Sequence, residues 1–85
     1  MNISIGDLLT VEGEKYITLE VLNYEGKNYL FVNKTIDEEA TQEFYIFEVF
    51  EDDSIEVVIE NNLKQILMTK FEEMLRKDIE DLLNE

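Results

Sequence analysis

Residues 16–33, YITLEVLNYEGKNYLFVN, decide the fold of this chain. Apolar and polar side chains alternate over residues 16–22 with the two-residue period of a β-strand. A turn is predicted over residues 24–27, because Gly26 can adopt a positive φ, and a second strand follows over residues 28–33. The stretch therefore predicts an antiparallel hairpin.

Further strands are predicted on both sides of this hairpin. A short strand over residues 8–11 precedes it, and a polar loop over residues 35–41 follows it. A third strand is then predicted from about residue 42 to residue 50. The polar turn at residues 51–54 leads into a last strand over residues 55–60.

The end of the chain has the pattern of an amphipathic helix. Apolar residues recur at i, i+3 and i+4 from Leu63 to Leu82, which predicts a helix over about residues 62–83. Either Asn61 or Asn62 is expected to cap it. The chain is thus predicted to be one α+β domain over residues 1–85. Its expected architecture is an antiparallel four- to five-stranded β-meander, with one long C-terminal helix packed on one face.

The alternation also assigns side chains to the two faces of the predicted sheet. If residues 51–54 close the last hairpin, Phe50 lies opposite Ile55. The face against the helix then consists of Ile17, Leu19, Val21, Leu30, Val32, Phe44, Ile46, Phe50, Ile55, Val57 and Ile59. The other face consists of Tyr16, Glu20, Tyr29, Phe31, Tyr45, Phe47, Glu56, Val58 and Glu60. This aromatic face is either a half-exposed sheet surface stabilised by cross-strand pairs or an interface for a partner or a second copy.

The charge of the chain is strongly unbalanced. It contains 21 acidic and 7 basic residues, for a net charge of −14, and no Lys or Arg lies between Thr35 and Leu63. Direct binding to nucleic acid is therefore not expected, since phosphates are neutralised by basic surfaces. A basic protein is the expected partner, because a dense array of carboxylates can imitate the field of a nucleic acid.

The composition also argues against catalysis and against bound metals or cofactors. There is no His and no Cys, so an ordinary general base, a thiol nucleophile and a structural zinc site are not expected. The acids at residues 51–53 lack the alternating spacing and the glycine of a calcium loop. No apolar stretch is long enough for a membrane span, and the N-terminus lacks the pattern of a signal peptide. A cytoplasmic protein without enzymatic activity is expected.

Part of the chain resembles a known group of proteins. The matching segments are EVL at residues 20–22, YEGKNYLFV at residues 24–32, EFYIF at residues 43–47 and EDD at residues 51–53. In these segments the chain resembles the YrzB-like group of small acidic Firmicutes proteins of uncharacterised function. The resemblance implies the same order of strands and helix, and it brings no catalytic residue or ligand. The acidic segment that precedes the helix in that group is replaced here by IENNLK, residues 59–64.

Two functional hypotheses follow from these observations. In the first, the protein binds and inhibits or modulates a basic nucleic-acid-binding protein, as a nucleic-acid mimic of the phage-inhibitor or anti-CRISPR type. The residues expected to bind the partner are the acids Glu38, Glu39, Glu43, Asp52, Asp53, Glu56 and Glu60 and the aromatic anchors Tyr45 and Phe47. In the second, a YrzB-like cytoplasmic protein forms a homodimer or docks through its aromatic sheet face, and the acids serve solubility.

Overall fold

Five strands follow one another along the chain in the computed structural model, which describes residues 2–84. They are β1 (Leu8–Val11), β2 (Glu14–Tyr24), β3 (Lys27–Ile36), β4 (Glu39–Val49) and β5 (Ile55–Val57). All neighbouring strands are antiparallel, and their order in the sheet is their order in the sequence. The helix α1 (Asn61–Leu83) follows and packs on one face. The predicted α+β meander with a C-terminal helix is therefore confirmed.

Tight turns connect the first four strands. Their central residues are Glu12-Gly13, Glu25-Gly26 and Asp37-Glu38, and all of them have positive φ. Positive φ at both central residues is the backbone of a type I′ hairpin turn, which matches the twist of the strands. The polar loop predicted over residues 35–41 is wrong, because β3 and β4 extend up to this last turn. The turn contains no glycine, so the sequence lacks the usual signal for it.

The hairpin between β4 and β5 has a different register from the predicted one. Val49, not Phe50, lies opposite Ile55. The connection is one residue longer than predicted, and it is closed by a hydrogen bond of 2.9 Å from the Phe50 N–H to the Ser54 carbonyl. Because side chains alternate along a strand, this shift by one residue moves every β5 side chain to the opposite face.

The predicted faces are wrong for β3 and β5, whereas Ile46 lies against the helix and Tyr45 and Phe47 lie on the other face, as predicted. The face against the helix buries Tyr29, Phe31, Ile46 and Val58 together with Leu67 and Phe71 of α1. The opposite, concave face buries Leu30, Val32, Phe47 and Val49. The sheet is curled, so that Leu9 and Val11 of β1 and Ile55 of β5 pack against the same concave cluster. Tyr29, Phe31 and Phe47 are at most 8% exposed, so the residues that the structure describes do not form the exposed aromatic face expected from the sequence.

A bulge in β2 brings an acidic residue under the helix. The register shifts between Thr18 and Glu20, and Leu19 packs on the helix side. Glu20 lies opposite Phe31 and is only 3% exposed. The predicted location of Glu20 on the face away from the helix is wrong, because the helix packs on the face that carries Glu20 and Phe31 and removes the carboxyl group from solvent.

The helix begins one residue earlier than predicted and has a different cap. The Glu60 carboxylate accepts hydrogen bonds from the N–H groups of Asn62 and Leu63, at 3.0 and 2.6 Å. A carboxylate is favourable at this position because of the positive end of the helix dipole. The prediction that Asn61 or Asn62 caps the helix is therefore wrong. In residues 2–84 no helix combines the length and the apolar character needed to cross a membrane.

Candidate functional site

One end of the sheet collects a dense group of carboxylates. This acidic end is formed by Glu48, Glu51, Asp52, Asp53 and Glu56, which line an open cavity of about 880 Å³. The β2–β3 turn borders the same cavity and contributes Lys27. The residues come together because both connections lie at the same end of an antiparallel meander. Asp52, Asp53 and Glu56 of the predicted partner-binding set are thus neighbours in the structure.

Two acids of this group face each other across the ladder. Glu48 and Glu56 are direct partners in the β4–β5 pairing, where like charges destabilise a sheet. Neither carboxylate has a salt bridge within residues 2–84. Burial and the charge of Glu48 also raise the pKa of the neighbouring Tyr29 hydroxyl. Glu48 and Glu56 therefore repel each other in the free protein, and no salt bridge of either residue offsets this repulsion within residues 2–84.

Asp52 has a fixed position in this group. Its Oδ1 atom accepts hydrogen bonds from the Ser54 N–H at 3.0 Å and from the Ser54 hydroxyl at 2.6 Å. These hydrogen bonds, with the hydroxyl as the larger cause, lower the pKa of Asp52. The side chain is exposed, so the arrangement holds a charged carboxylate in one orientation towards solvent.

The remaining predicted acids lie elsewhere. Glu38 and Glu39 are exposed at the β3–β4 turn, which lies at the opposite end of the sheet from the acidic end. Glu60 caps the helix, so its carboxylate is engaged with backbone N–H groups. The predicted partner-binding set therefore forms two separate acidic surfaces and not one.

Glu43 is partly neutralised by a neighbouring cation. The Lys34 Nζ atom lies 3.5 Å from the Glu14 carboxylate and 3.9 Å from that of Glu43. The Glu14 charge is the main cause of the raised pKa of Lys34. The Tyr45 hydroxyl donates a hydrogen bond of 3.2 Å to Glu43, which raises the pKa of that tyrosine. Glu43 thus contributes less to the external field than an isolated acid would.

A groove crosses the concave face between the two edges of the curled sheet. This edge groove has a volume of about 580 Å³ and is lined by Val11, Glu12, Glu14, Tyr16, Tyr45, Phe47, Ile55, Glu56, Val57 and Ile59. The three aromatic rings form its floor. The Tyr16 ring meets Phe47 edge to face at 4.9 Å and Tyr45 edge to face at 5.9 Å. The carboxylates of Glu12 and Glu14 border this apolar floor on the β1–β2 side.

The two predicted aromatic anchors therefore have a different environment from the expected one. Phe47 is 3% exposed and Tyr45 is half-buried, so neither lies on an open sheet face. The apolar residues accessible at the groove are instead Val57, 47% exposed, and Ile59, 78% exposed. Sequence reasoning missed them because the predicted register of β5 placed both against the helix. The acids Glu12 and Glu14, at and after the β1–β2 turn, were the available signal in the sequence for the acidic border of the groove.

Comparisons with protein-family models, with curated proteins and with solved structures find no significant match to this chain. The resemblance to the YrzB-like group stays a prediction. Within residues 2–84, no group of three or more acidic side chains has an arrangement suited to holding a metal ion.

Proposed function

We propose that this is a non-enzymatic acidic interaction protein that binds a basic nucleic-acid-binding protein and inhibits or modulates it. Its exposed carboxylates would occupy the basic surface that otherwise contacts phosphates, as a nucleic-acid mimic does. An inhibitor of the phage or anti-CRISPR type is one form that such a protein takes.

The observation that carries this proposal is that several acids occupy positions where they destabilise the free protein. Glu48 and Glu56 face each other, and neither forms a salt bridge within residues 2–84. Glu12, Glu25 and Glu38 adopt positive φ, a conformation in which glycine or asparagine is less strained. If the acids served only solubility, any exposed position would suit them equally well. Acids retained at unfavourable positions are better explained by a partner whose cations compensate the repulsion.

The partner can be identified by affinity capture from a cell lysate, followed by competition with duplex DNA. A nucleic-acid mimic is expected to lose its partner to added DNA. It is also expected to release the partner as salt rises from about 0.05 M to about 0.5 M, because the Debye length shortens from above 10 Å to below 5 Å. Capture that is indifferent to both DNA and salt would contradict the proposal.

A pair of charge-matched variants tests whether the location of the acids matters. Reversal to lysine at Glu51 and Glu56 changes the acidic end, whereas reversal at Glu80 and Asp81 changes the exposed end of the helix by the same net charge. The first variant is expected to weaken binding of the captured partner by about ten-fold or more and the second by much less. Equal weakening by both variants would mean that only net charge matters. It would contradict the assignment of partner binding to the acidic end.

The homodimer through an aromatic sheet face is the less favoured proposal. Tyr29, Phe31 and Phe47, which it needs at the surface, are between 2% and 8% exposed. Sedimentation of the free protein at low and raised salt tests this alternative directly.

A further inference from the structure

We propose that the edge groove binds an extended segment of a basic protein, which pairs with the open edge of β5 as an added strand. The inference rests on the proposed function for the charge of the partner. It adds the place where the partner binds, the conformation of the bound segment and the pattern of its side chains. Addition of a strand to an exposed sheet edge is a recurring mode of peptide recognition, in which the main chain gives affinity and side-chain pockets give specificity.

The backbone of β5 has the groups that such a strand needs. The Val58 N–H donates to the Ile46 carbonyl at 2.8 Å, which marks these two residues as a hydrogen-bonded pair of the β4–β5 ladder. Hydrogen-bonded and non-bonded pairs alternate in an antiparallel ladder, so the next bonded pair includes Glu56. Ile55 and Val57 belong to the non-bonded pairs and direct their N–H and C=O groups away from β4. Within residues 2–84 no strand pairs with this edge.

The other edge of the sheet is less suited to the same role. The Thr18 N–H donates to the Asp7 carbonyl at 2.9 Å, so the alternation leaves Leu8 and Thr10 of β1 with outward backbone groups. Neither Leu8 nor Thr10 lines the groove. On β5, by contrast, the residues with outward backbone groups also line the groove with their side chains. A strand added there lies inside the groove and not beside it.

The surroundings of β5 define the side-chain pattern of the bound segment. Side chains next to Ile55 and Val57 face the aromatic floor and are expected to be apolar. Side chains next to Glu56 lie on the opposite face and are expected to be basic, since opposite charges stabilise cross-strand pairs. The segment should therefore alternate between apolar and Lys or Arg residues.

The same charges argue against a second copy of this chain as the occupant. Pairing β5 with another β5 would bring Glu56 of both copies, and the carboxylates next to them, close together. With a net charge of −14 on each chain, such a contact is opposed over its whole surface.

Two synthetic hexapeptides of the same composition test the inference. The first is acetyl-Lys-Val-Lys-Val-Lys-Val-amide, which alternates as the groove requires, and the second is its isomer acetyl-Lys-Lys-Lys-Val-Val-Val-amide. The alternating peptide is expected to bind the intact protein at least about five-fold more tightly by calorimetry. Amide hydrogen exchange at Ile55 and Val57 should slow in its presence, because their N–H groups become hydrogen-bonded.

Two exposed apolar residues give a matched pair of variants. Ile59 lines the groove and is 78% exposed, while Leu83 lies at the far end of the helix and is 79% exposed. Ile59→Lys should abolish the preference for the alternating peptide, and Leu83→Lys should retain it. Both changes add the same charge at similar exposure, so neither is expected to unfold the protein.

Three outcomes would overturn the inference. The first is equal affinity for the two isomers, and the second is a preference that survives Ile59→Lys. The third is unchanged exchange at Ile55 and Val57 in the presence of bound peptide. Equal and salt-sensitive binding of both isomers agrees with the proposed function and contradicts only the binding of a strand in the groove. If neither isomer shows salt-sensitive binding, the result contradicts both the proposed groove and the proposed function.

Discussion

Replacement of Glu20 by glutamine should stabilise the protein at high pH and leave its stability at low pH almost unchanged. Burial under the helix, followed by a hydrogen bond and charge repulsion from Asp78, raises the pKa of Glu20 from its ordinary 4.5 to about 7. Each unit by which the pKa differs between the folded and the unfolded chain changes the free energy of unfolding by about 1.4 kcal/mol. The full difference for Glu20 corresponds to about 3 kcal/mol.

The sign of the effect follows from where the proton is bound. Below pH 4.5 the Glu20 carboxyl is neutral in the folded and in the unfolded chain, so it costs nothing. Between pH 4.5 and about 7 the unfolded chain ionises while the folded chain keeps its proton, and the folded state loses stability. Above this range both states are ionised, and the whole cost of about 3 kcal/mol remains. Glutamine has a similar shape and no charge, so it removes this cost.

Urea denaturation of the wild-type protein and of Glu20→Gln at about pH 4 and about pH 8 measures the effect. We expect a difference in the free energy of unfolding near zero at the lower pH and up to about 3 kcal/mol in favour of the variant at the higher pH. Comparison with wild type at each pH cancels the titration of the other acids. Asp78→Asn is the control and should give a smaller gain at high pH, because burial is the larger cause of the raised pKa. A difference that is the same at both pH values would refute the reasoning.

Four further predictions concern stability and are measured by thermal or urea unfolding. Thr18→Val should stabilise the protein by about 1 kcal/mol, because the buried Thr18 hydroxyl has no hydrogen-bond partner. Asn33→Ala should destabilise it by about 2 kcal/mol, because the buried Asn33 amide donates to two β4 carbonyls at 2.8 and 3.0 Å; a loss below about 0.5 kcal/mol would contradict this role. Glu38→Gly should stabilise the protein by about 0.5 kcal/mol, because Glu38 in the β3–β4 turn has a φ of 67°. Glu39→Gly, in the adjoining strand β4, should instead destabilise the protein. Glu60→Ala should cost about 1 kcal/mol through loss of the helix cap, and an unchanged melting temperature would show that water replaces that cap.

The composition and the local patterns determined the class of the fold. The period-two alternation around Gly26 predicted the central hairpin, and the i, i+3, i+4 pattern from Leu63 predicted the helix to within one residue of its start. These features depend on neighbouring residues, so they are readable without the rest of the molecule. The strong negative charge is also a property of the sequence alone. The polar turn predicted at residues 51–54 is confirmed, and its acids are exposed.

The pairing of the last hairpin and the location of the helix were decided only by the tertiary structure. Both faces of the strands carry large apolar side chains, for example Leu30 and Val32 on one side and Tyr29 and Phe31 on the other. Hydrophobicity therefore did not indicate which face the helix covers. A single extra residue in the β4–β5 connection then exchanged the faces of β5.

The edge groove is likewise a product of the tertiary structure. It forms because the curled sheet brings Val11 near one edge and Ile55 and Val57 at the other edge to a common surface. The residues are more than forty positions apart in the sequence, and no local pattern links them. The sequence determined which charges and strands this protein has. Only the curl and register of the sheet decided which of them meet, because strand pairing and packing join residues that local periodicity does not relate.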